Sequence, residues 1–172
     1  MFEIPFYSST TEAIPVKEMG SDRSASGSGI QKDIVIPLLY KEELERHANI
    51  FCNDIGLHKV RLDNAWYNEN AYGDHNETHT HPGVTLSGVL YLSTGENTGR
   101  LLLHHPCSYI NYDWNPRTIH HNTKYNTEKI ALEPSNNTLY IFPSWLQHSV
   151  EPNKNKNILR KSISFNFISL YI

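Results

Sequence analysis

The chain has 172 residues, with 38% apolar and 19% charged side chains, nine glycines and nine prolines. That length and composition fit one soluble globular domain and speak against collagen-like or fully disordered polypeptide. Fifteen Lys and Arg against eighteen Asp and Glu leave a net charge of −3, so no basic field draws the chain to nucleic acid or acidic lipid.

The first twenty residues mix isolated apolar side chains with Pro5 and Pro15, and Ser21 to Gly29 (SDRSASGSG) is a small-residue stretch without periodicity. Residues 1–30 are therefore expected to be a partly irregular N-terminal segment of a single domain covering 1–172. The N-terminus lacks a basic start followed by an apolar stretch, and no run approaches the roughly 18 apolar residues of a membrane span. The expectation is a soluble, unexported protein of the cytoplasm, that of the host cell if the chain is phage-encoded. Cys52 and Cys107 are too far apart in the chain for a zinc cluster and too few for a disulfide scaffold, as befits a reducing compartment.

Between the IVIP stretch and Gly56, Leu39, Leu44, Ala48, Ile50, Phe51 and Ile55 recur at roughly helical spacing, with Gly56 as the stop. From Val60 onward the pattern changes. Short runs of Tyr, Val, Leu and Ile alternate with Asn, Gly, Asp and Pro clusters, which predicts strands near 61–69, 75–81, 84–92, 100–104, 138–142, 146–151 and 158–170 in an antiparallel sandwich or barrel. The segment from Cys107 to Pro134, with Trp114 among its aromatics, has no clear period and reads as a long functional excursion.

Ten histidines are the most informative feature. Asp74 to Pro82 (DHNETHTHP) holds His75, His79 and His81 with Glu77 between them. Residues two apart on a strand share a face, so His79 and His81 would present paired imidazoles with Glu77 beside them. Neutral imidazole is a borderline donor suited to iron, copper, zinc and nickel. A remote third ligand is needed, and His148 in FPSWLQHSVEPN is the best candidate. Farther on, Arg160, Ser162, Ser164 and Asn166 alternate with Lys161, Ile163, Phe165 and Phe167. Such a polar strand face either meets water or lines a barrel, where Arg160 would offer a bidentate fork to a carboxylate and Ser162 a hydroxyl.

Taken together, Trp66-Tyr67-Asn68, His79-Thr80-His81-Pro82-Gly83, Ser87 to Leu92, Phe142 to His148 and Arg160 to Asn166 resemble the Fe(II)/2-oxoglutarate-dependent oxygenases, and more narrowly a group of small 2-oxoglutarate/iron hydroxylases of bacteria and phages. The resemblance covers roughly residues 35–168. It implies a mainly β protein, a double-stranded β-helix of the jelly-roll or cupin-like kind with one or two supporting N-terminal helices. It further implies Fe(II) and the co-substrate 2-oxoglutarate, with dioxygen consumed and succinate and carbon dioxide released as a substrate is hydroxylated. Arg160 and Ser162 match the residues that grip the far carboxylate of 2-oxoglutarate, with Tyr91, Asn68 and Asn166 as further contacts. His105 and Trp145 are candidates for substrate binding.

The usual protein ligand set is two histidines and a carboxylate, whereas the matching motif here reads His79-x-His81. Two sets remain open: His79, His81 and His148, or His75, Glu77 and His148, the first being the one that aligns with the narrower group. A cupin-type three-histidine dioxygenase without 2-oxoglutarate and a non-catalytic β-sandwich binding module are the competing functions. The expected partners are a small-molecule or peptide substrate and dioxygen, without nucleic acid or membrane, and with a homodimer left open.

Overall fold

The sheet that positions the site is built around β11 (Arg160–Ser169), which pairs antiparallel with β4 (Val60–Asn70) on one side and β6 (Leu86–Ser93) on the other. In the computed structural model, residues 4–16, 19–23, 27–107, 117–121, 123 and 126–171 are described. Around that central trio the major sheet runs β1-β9-β6-β11-β4-β3-β2, with β1 at Tyr7–Thr10, β2 at Met19–Asp22, β3 at Ile30–Ile34 and β9 at Thr138–Pro143. A minor sheet runs β5-β10-β7-β8, with β5 at Asn76–His79, β7 at Leu101–His104, β8 at Lys129–Leu132 and β10 at His148–Val150. All strand pairs are antiparallel. Two facing antiparallel sheets of this kind make a double-stranded β-helix, which is the mainly β architecture expected from the sequence.

A single helix among the described residues, α1 (Leu38–Ile55), covers the outer face of the major sheet. Its buried residues Leu44, His47, Ala48, Phe51 and Cys52 fall at helical steps of three and four, the spacing that gathers side chains onto one stripe. Gly56 ends it in the left-handed region at φ 77°, and Leu57 N–H returns to the Cys52 carbonyl at 2.8 Å. This is the glycine-closed C-terminus that the sequence predicted. Against α1 lie Leu62, Leu86, Leu90, Leu139, Ile141, Ile163, Phe165 and Phe167, one continuous apolar core. A second cluster between the sheets, including Val89, Tyr91, Leu101, Leu103, Tyr140, Phe142 and Leu146, closes one end of the space between them.

The alternation in β11 therefore has both faces in use: Ile163, Phe165 and Phe167 face the helix, while Arg160, Ser162 and Asn166 are buried on the side of the second sheet. β4 obeys the same rule only because of an irregularity. Asn166 pairs with Asn64, but Phe167 pairs with Leu62, so Asp63 is the extra residue of a bulge. Val60 and Leu62 before it point to the helix side, and Asn64, Trp66, Asn68 and Asn70 after it point inward.

Three short polar strands at the N-terminus and β8 within the 107–134 excursion carry little apolar periodicity, and sequence reading did not assign them. Trp114 lies outside the described residues. No helix among the described residues is long and apolar enough to cross a membrane.

Phe165 is fully buried, and its ring fills the space beside Gly88, where an added Cβ would collide with it. Phe165→Ala is expected to lower the unfolding free energy by about 3–5 kcal/mol, as cavity-forming core truncations do, measured by urea denaturation. A loss under 1 kcal/mol would show that the helix face does not hold the sheet.

Candidate metal centre

Between the open ends of the two sheets lies a cavity of about 400 Å³. Three imidazoles meet on its wall. One ligand atom each from His79, His81 and His148 lies within 4.8 Å of the others, and they form the one such potential metal-holding group among the described residues. The ring centroids are 5.1 Å apart for His79 and His81, 4.3 Å for His79 and His148, and 5.0 Å for His81 and His148.

Each histidine arrives by a different route. His79 ends β5 and His148 opens β10, and the two are direct cross-strand partners in the minor sheet. His81 lies beyond the end of β5, so strand alternation does not place it as the sequence suggested. Instead the chain turns, and His81 N–H donates to the Ser144 carbonyl at 3.0 Å. Its ring stacks on Trp66 with 22° between planes.

The tautomers are set by what holds the rings. His79 Nδ1–H donates to the Glu77 carbonyl at 2.7 Å, and His148 Nδ1–H to the Leu146 carbonyl at 2.9 Å. His81 Nδ1–H donates to Asn166 Oδ1 at 2.8 Å, an oxygen that also accepts from Ser87 Oγ at 2.8 Å. With every Nδ1 so engaged, the Nε2 lone pairs remain as the ligand atoms. Burial, together with the neighbouring His79, pushes His81 down to about 4 and His148 to about 3. Both rings are thus neutral near pH 7, with their lone pairs available.

The alternative set is not assembled. Glu77 is exposed and takes part only through its backbone carbonyl, and His75 Nδ1 turns back to the Gly73 carbonyl. Asn166 also differs from its expected role. Its oxygen is committed to His81 and Ser87, and its Nδ2 donates to Asn64 Oδ1 at 3.0 Å, so it orients a histidine rather than standing ready for a co-substrate.

Deeper in the cavity, Arg160 is 1% exposed and has no carboxylate in hydrogen-bond contact among the described residues. Its Nη1 donates to the carbonyls of Thr98 at 2.5 Å, Glu151 at 3.2 Å and Gly99 at 3.3 Å. Its Nη2 is the one buried side-chain nitrogen or oxygen without a hydrogen-bond partner among the described residues. Burial disfavours its charge, which Tyr91 and Asp74 offset only in part. The carbonyl cradle depends on Gly99: it sits at φ 90°, and a Cβ there would strike the Glu151 carbonyl and Arg160 Nη1. Arg100 and Glu151 brace the same corner through a two-pronged ion pair at 2.7 and 2.8 Å.

Tyr91 and Ser162 line the cavity beside Arg160, and burial raises the Tyr91 hydroxyl to about 12. Asn68 Nδ2 donates to Ser164 Oγ at 2.9 Å and to Ser162 Oγ at 3.3 Å, binding this polar wall together. His105 and Trp145 do not line the cavity. Trp145, 52% exposed, lines an adjoining cavity with Pro143 and Leu57 that shares Thr80, His81, Pro82 and Val84 with this one, while His105 accepts from Cys107 N–H beyond the end of β7. Sequence reasoning overlooked Trp66, Arg23 and Gln31 as lining residues. Trp66 had a signal, since it alternates with Asn64 and Asn68; Arg23 lay in a segment read as loop.

This arrangement defines a double-stranded β-helix with a polar pocket that gathers three histidines. The solved structures bear it out: an oxidoreductase of the 2OG-Fe(II) oxygenase family from Burkholderia pseudomallei is similar at a TM-score of 0.55 and 13% identity, over 86% of this chain and 65% of that one. A Pseudomonas putida prolyl-4-hydroxylase gives 0.55 and 16%, over 82% and 73%. The viral collagen prolyl hydroxylase of Paramecium bursaria Chlorella virus-1, solved with 2-oxoglutarate, gives 0.54 and 11%, over 85% and 81%. This chain thus spans less than two thirds of the Burkholderia protein. No curated protein matches it in sequence. Residues 64–166, more than half of the chain, match the family described as "Putative 2OG-Fe(II) oxygenase". The chain belongs to that 2OG-Fe(II) oxygenase family, whose cofactors are Fe(II) and 2-oxoglutarate.

If Asn166 orients His81, Asn166→Ala is expected to weaken metal binding about 10- to 100-fold, the usual effect of removing such an outer hydrogen bond. Anaerobic titration with Co(II), followed by its visible absorption, reads this directly. Unchanged affinity would show that His81 is held without the carboxamide.

Proposed function

We propose that the chain is an Fe(II)- and 2-oxoglutarate-dependent hydroxylase whose metal ligands are His79, His81 and His148. The observation that carries this reading is the buried Arg160 Nη2, which has no partner among the described residues and belongs to a cavity that also holds three imidazoles. The residues fit both cofactors. Three neutral nitrogen donors suit Fe(II), and a buried guanidinium without a carboxylate suits the far end of a dicarboxylate.

When bound, iron and 2-oxoglutarate together with dioxygen supply oxidative decarboxylation to succinate and carbon dioxide, coupled to hydroxylation of a C–H bond. The protein's part is binding, orientation and exclusion of water. His79, His81 and His148 hold the metal through Nε2, each fixed by its Nδ1–H bond. Arg160 binds the distal carboxylate through Nη2, with Ser162 and Tyr91 beside it and Asn68 holding the serine hydroxyls in place. Val89, Leu101 and Phe142 line the cavity with apolar surface, and Phe142 packs against the His148 ring at 4.6 Å between centroids. A carbohydrate-binding sandwich would have no use for a buried, unpaired guanidinium, and a three-histidine dioxygenase without 2-oxoglutarate would need one only for an anionic substrate.

Anaerobic titration of the Fe(II)-loaded protein with 2-oxoglutarate is expected to raise the weak visible charge-transfer band of the chelate. Its absence at saturation would overturn the reading. Arg160→Gln is expected to raise the 2-oxoglutarate dissociation constant by about 30-fold or more, in line with loss of a buried charge-assisted pair, while iron content by metal analysis stays near one per chain. His148→Ala is expected to abolish iron binding.

A further inference from the structure

Among the described residues the cavity lining contains no aspartate or glutamate, although the chain carries eighteen of them. It does contain two guanidiniums: Arg160 in the floor and Arg23, which follows β2 in the β2–β3 connection. Arg23 Cζ lies 4.4 Å from the centroid of the Trp66 ring, and Trp66 stacks on His81 at 5.6 Å. Arg23 therefore stands one indole away from the metal-facing imidazoles. Among the described residues its side chain hydrogen-bonds through Nη1 alone, to Asp33 Oδ1 at 2.8 Å. Both partners of that pair are partly exposed, at 33% and 48%, the setting in which ion pairs are weak and the remaining N–H groups stay available.

Charge balance gives this geometry its meaning, and the inference rests on the iron and 2-oxoglutarate reading above. A dication on three neutral imidazoles together with Arg160 exceeds a dianionic co-substrate by one positive charge. Where a carboxylate ligand would have removed that excess, this chain has a histidine. Arg23 adds a second positive charge that Asp33, outside the lining, offsets in part, so the excess of one charge at the metal and co-substrate is what the lining leaves without a carboxylate among the described residues. Uncompensated charge in a partly desolvated cavity is costly, and its field concentrates counter-ions there. We propose that the primary substrate is an anion, with a carboxylate or phosphate group held by Arg23 beside Trp66 and its reacting carbon turned toward the three histidines. Gln31 and Asn64, which also line the cavity, add neutral hydrogen-bonding groups.

The test uses Fe(II)-loaded protein saturated with 2-oxoglutarate under anaerobic conditions, after the chelate band has been recorded. N-acetylglycine, its neutral amide N-acetylglycinamide, and methyl phosphate are titrated in turn, with binding read from probe proton relaxation by the iron. At least one anion is expected to bind tenfold or more tightly than the amide, and the better of the two names the source of the oxyanion. Arg23→Gln is expected to erase the preference. Asp33→Asn, which frees the guanidinium, is expected to strengthen anion binding severalfold, a gain that misfolding cannot produce. Equal binding of anions and amide, or a preference that survives Arg23→Gln, overturns the anionic substrate while leaving the oxygenase reading intact. A missing chelate band overturns the oxygenase reading, and this inference with it.

Discussion

Burial of the polar face of β11 is the constraint on which the rest of this structure depends. Arg160, Ser162 and Asn166 are all under 7% exposed, and groups of that kind inside a protein must be bonded or matched by a ligand. Register does most of this work. Arg160 pairs with Asn70, Ser162 with Asn68 and Asn166 with Asn64, so polar side chains of β4 meet those of β11 row by row. That match exists because the bulge at Asp63 reverses the phase of β4: without it, Val60 and Leu62 could not lie on the helix while Asn64 and Trp66 faced inward. One extra residue thus joins an apolar outer layer to a hydrogen-bonded interior within a single strand.

The interior so formed is satisfied almost completely, and the exception is instructive. The carboxamides of Asn64, Asn68 and Asn166 and the hydroxyls of Ser87, Ser162 and Ser164 bond one another or His81. Three backbone carbonyls absorb one nitrogen of Arg160. A buried cation kept at that cost, with one nitrogen left over, contributes to stability only when an acceptor arrives. The same logic applies to the histidines, whose outer nitrogens are tied to oxygen while the inner ones gather at one point.

Much of this was legible in the sequence, for physical reasons that differ by residue. The stripe of Leu44, Ala48 and Phe51 and the stop at Gly56 follow from helix geometry. The alternation from Arg160 to Phe167 announces a strand with two different faces, though not which face is inside. The convergence of His148 with His79 and His81 is a long-range contact that periodicity cannot supply; the motif resemblance pointed to it. Other features were hidden. β1, β2 and β3 are stabilised by pairing with neighbours rather than by apolar pattern, so Arg23 looked like a loop residue and Gln31 was assigned to no element. Asn166 read as a ligand contact because its face was right, but only coordinates reveal that its oxygen is already taken by His81. Trp145 and His105 lie outside the metal cavity itself, although Trp145 borders an adjoining one that shares His81.

The direct pairing of His79 with His148 has a mechanical corollary. Strands β5 and β10 are only four and three residues long, too short to hold together strongly by backbone bonding alone. An ion bridging these two positions would act as a staple across a loop of nearly seventy residues, the kind of closure that removes most freedom from an unfolded chain. Cargo and scaffold would then be mutually dependent: losing the ion would loosen the sheet that captures it, and fraying of the sheet would release the ion.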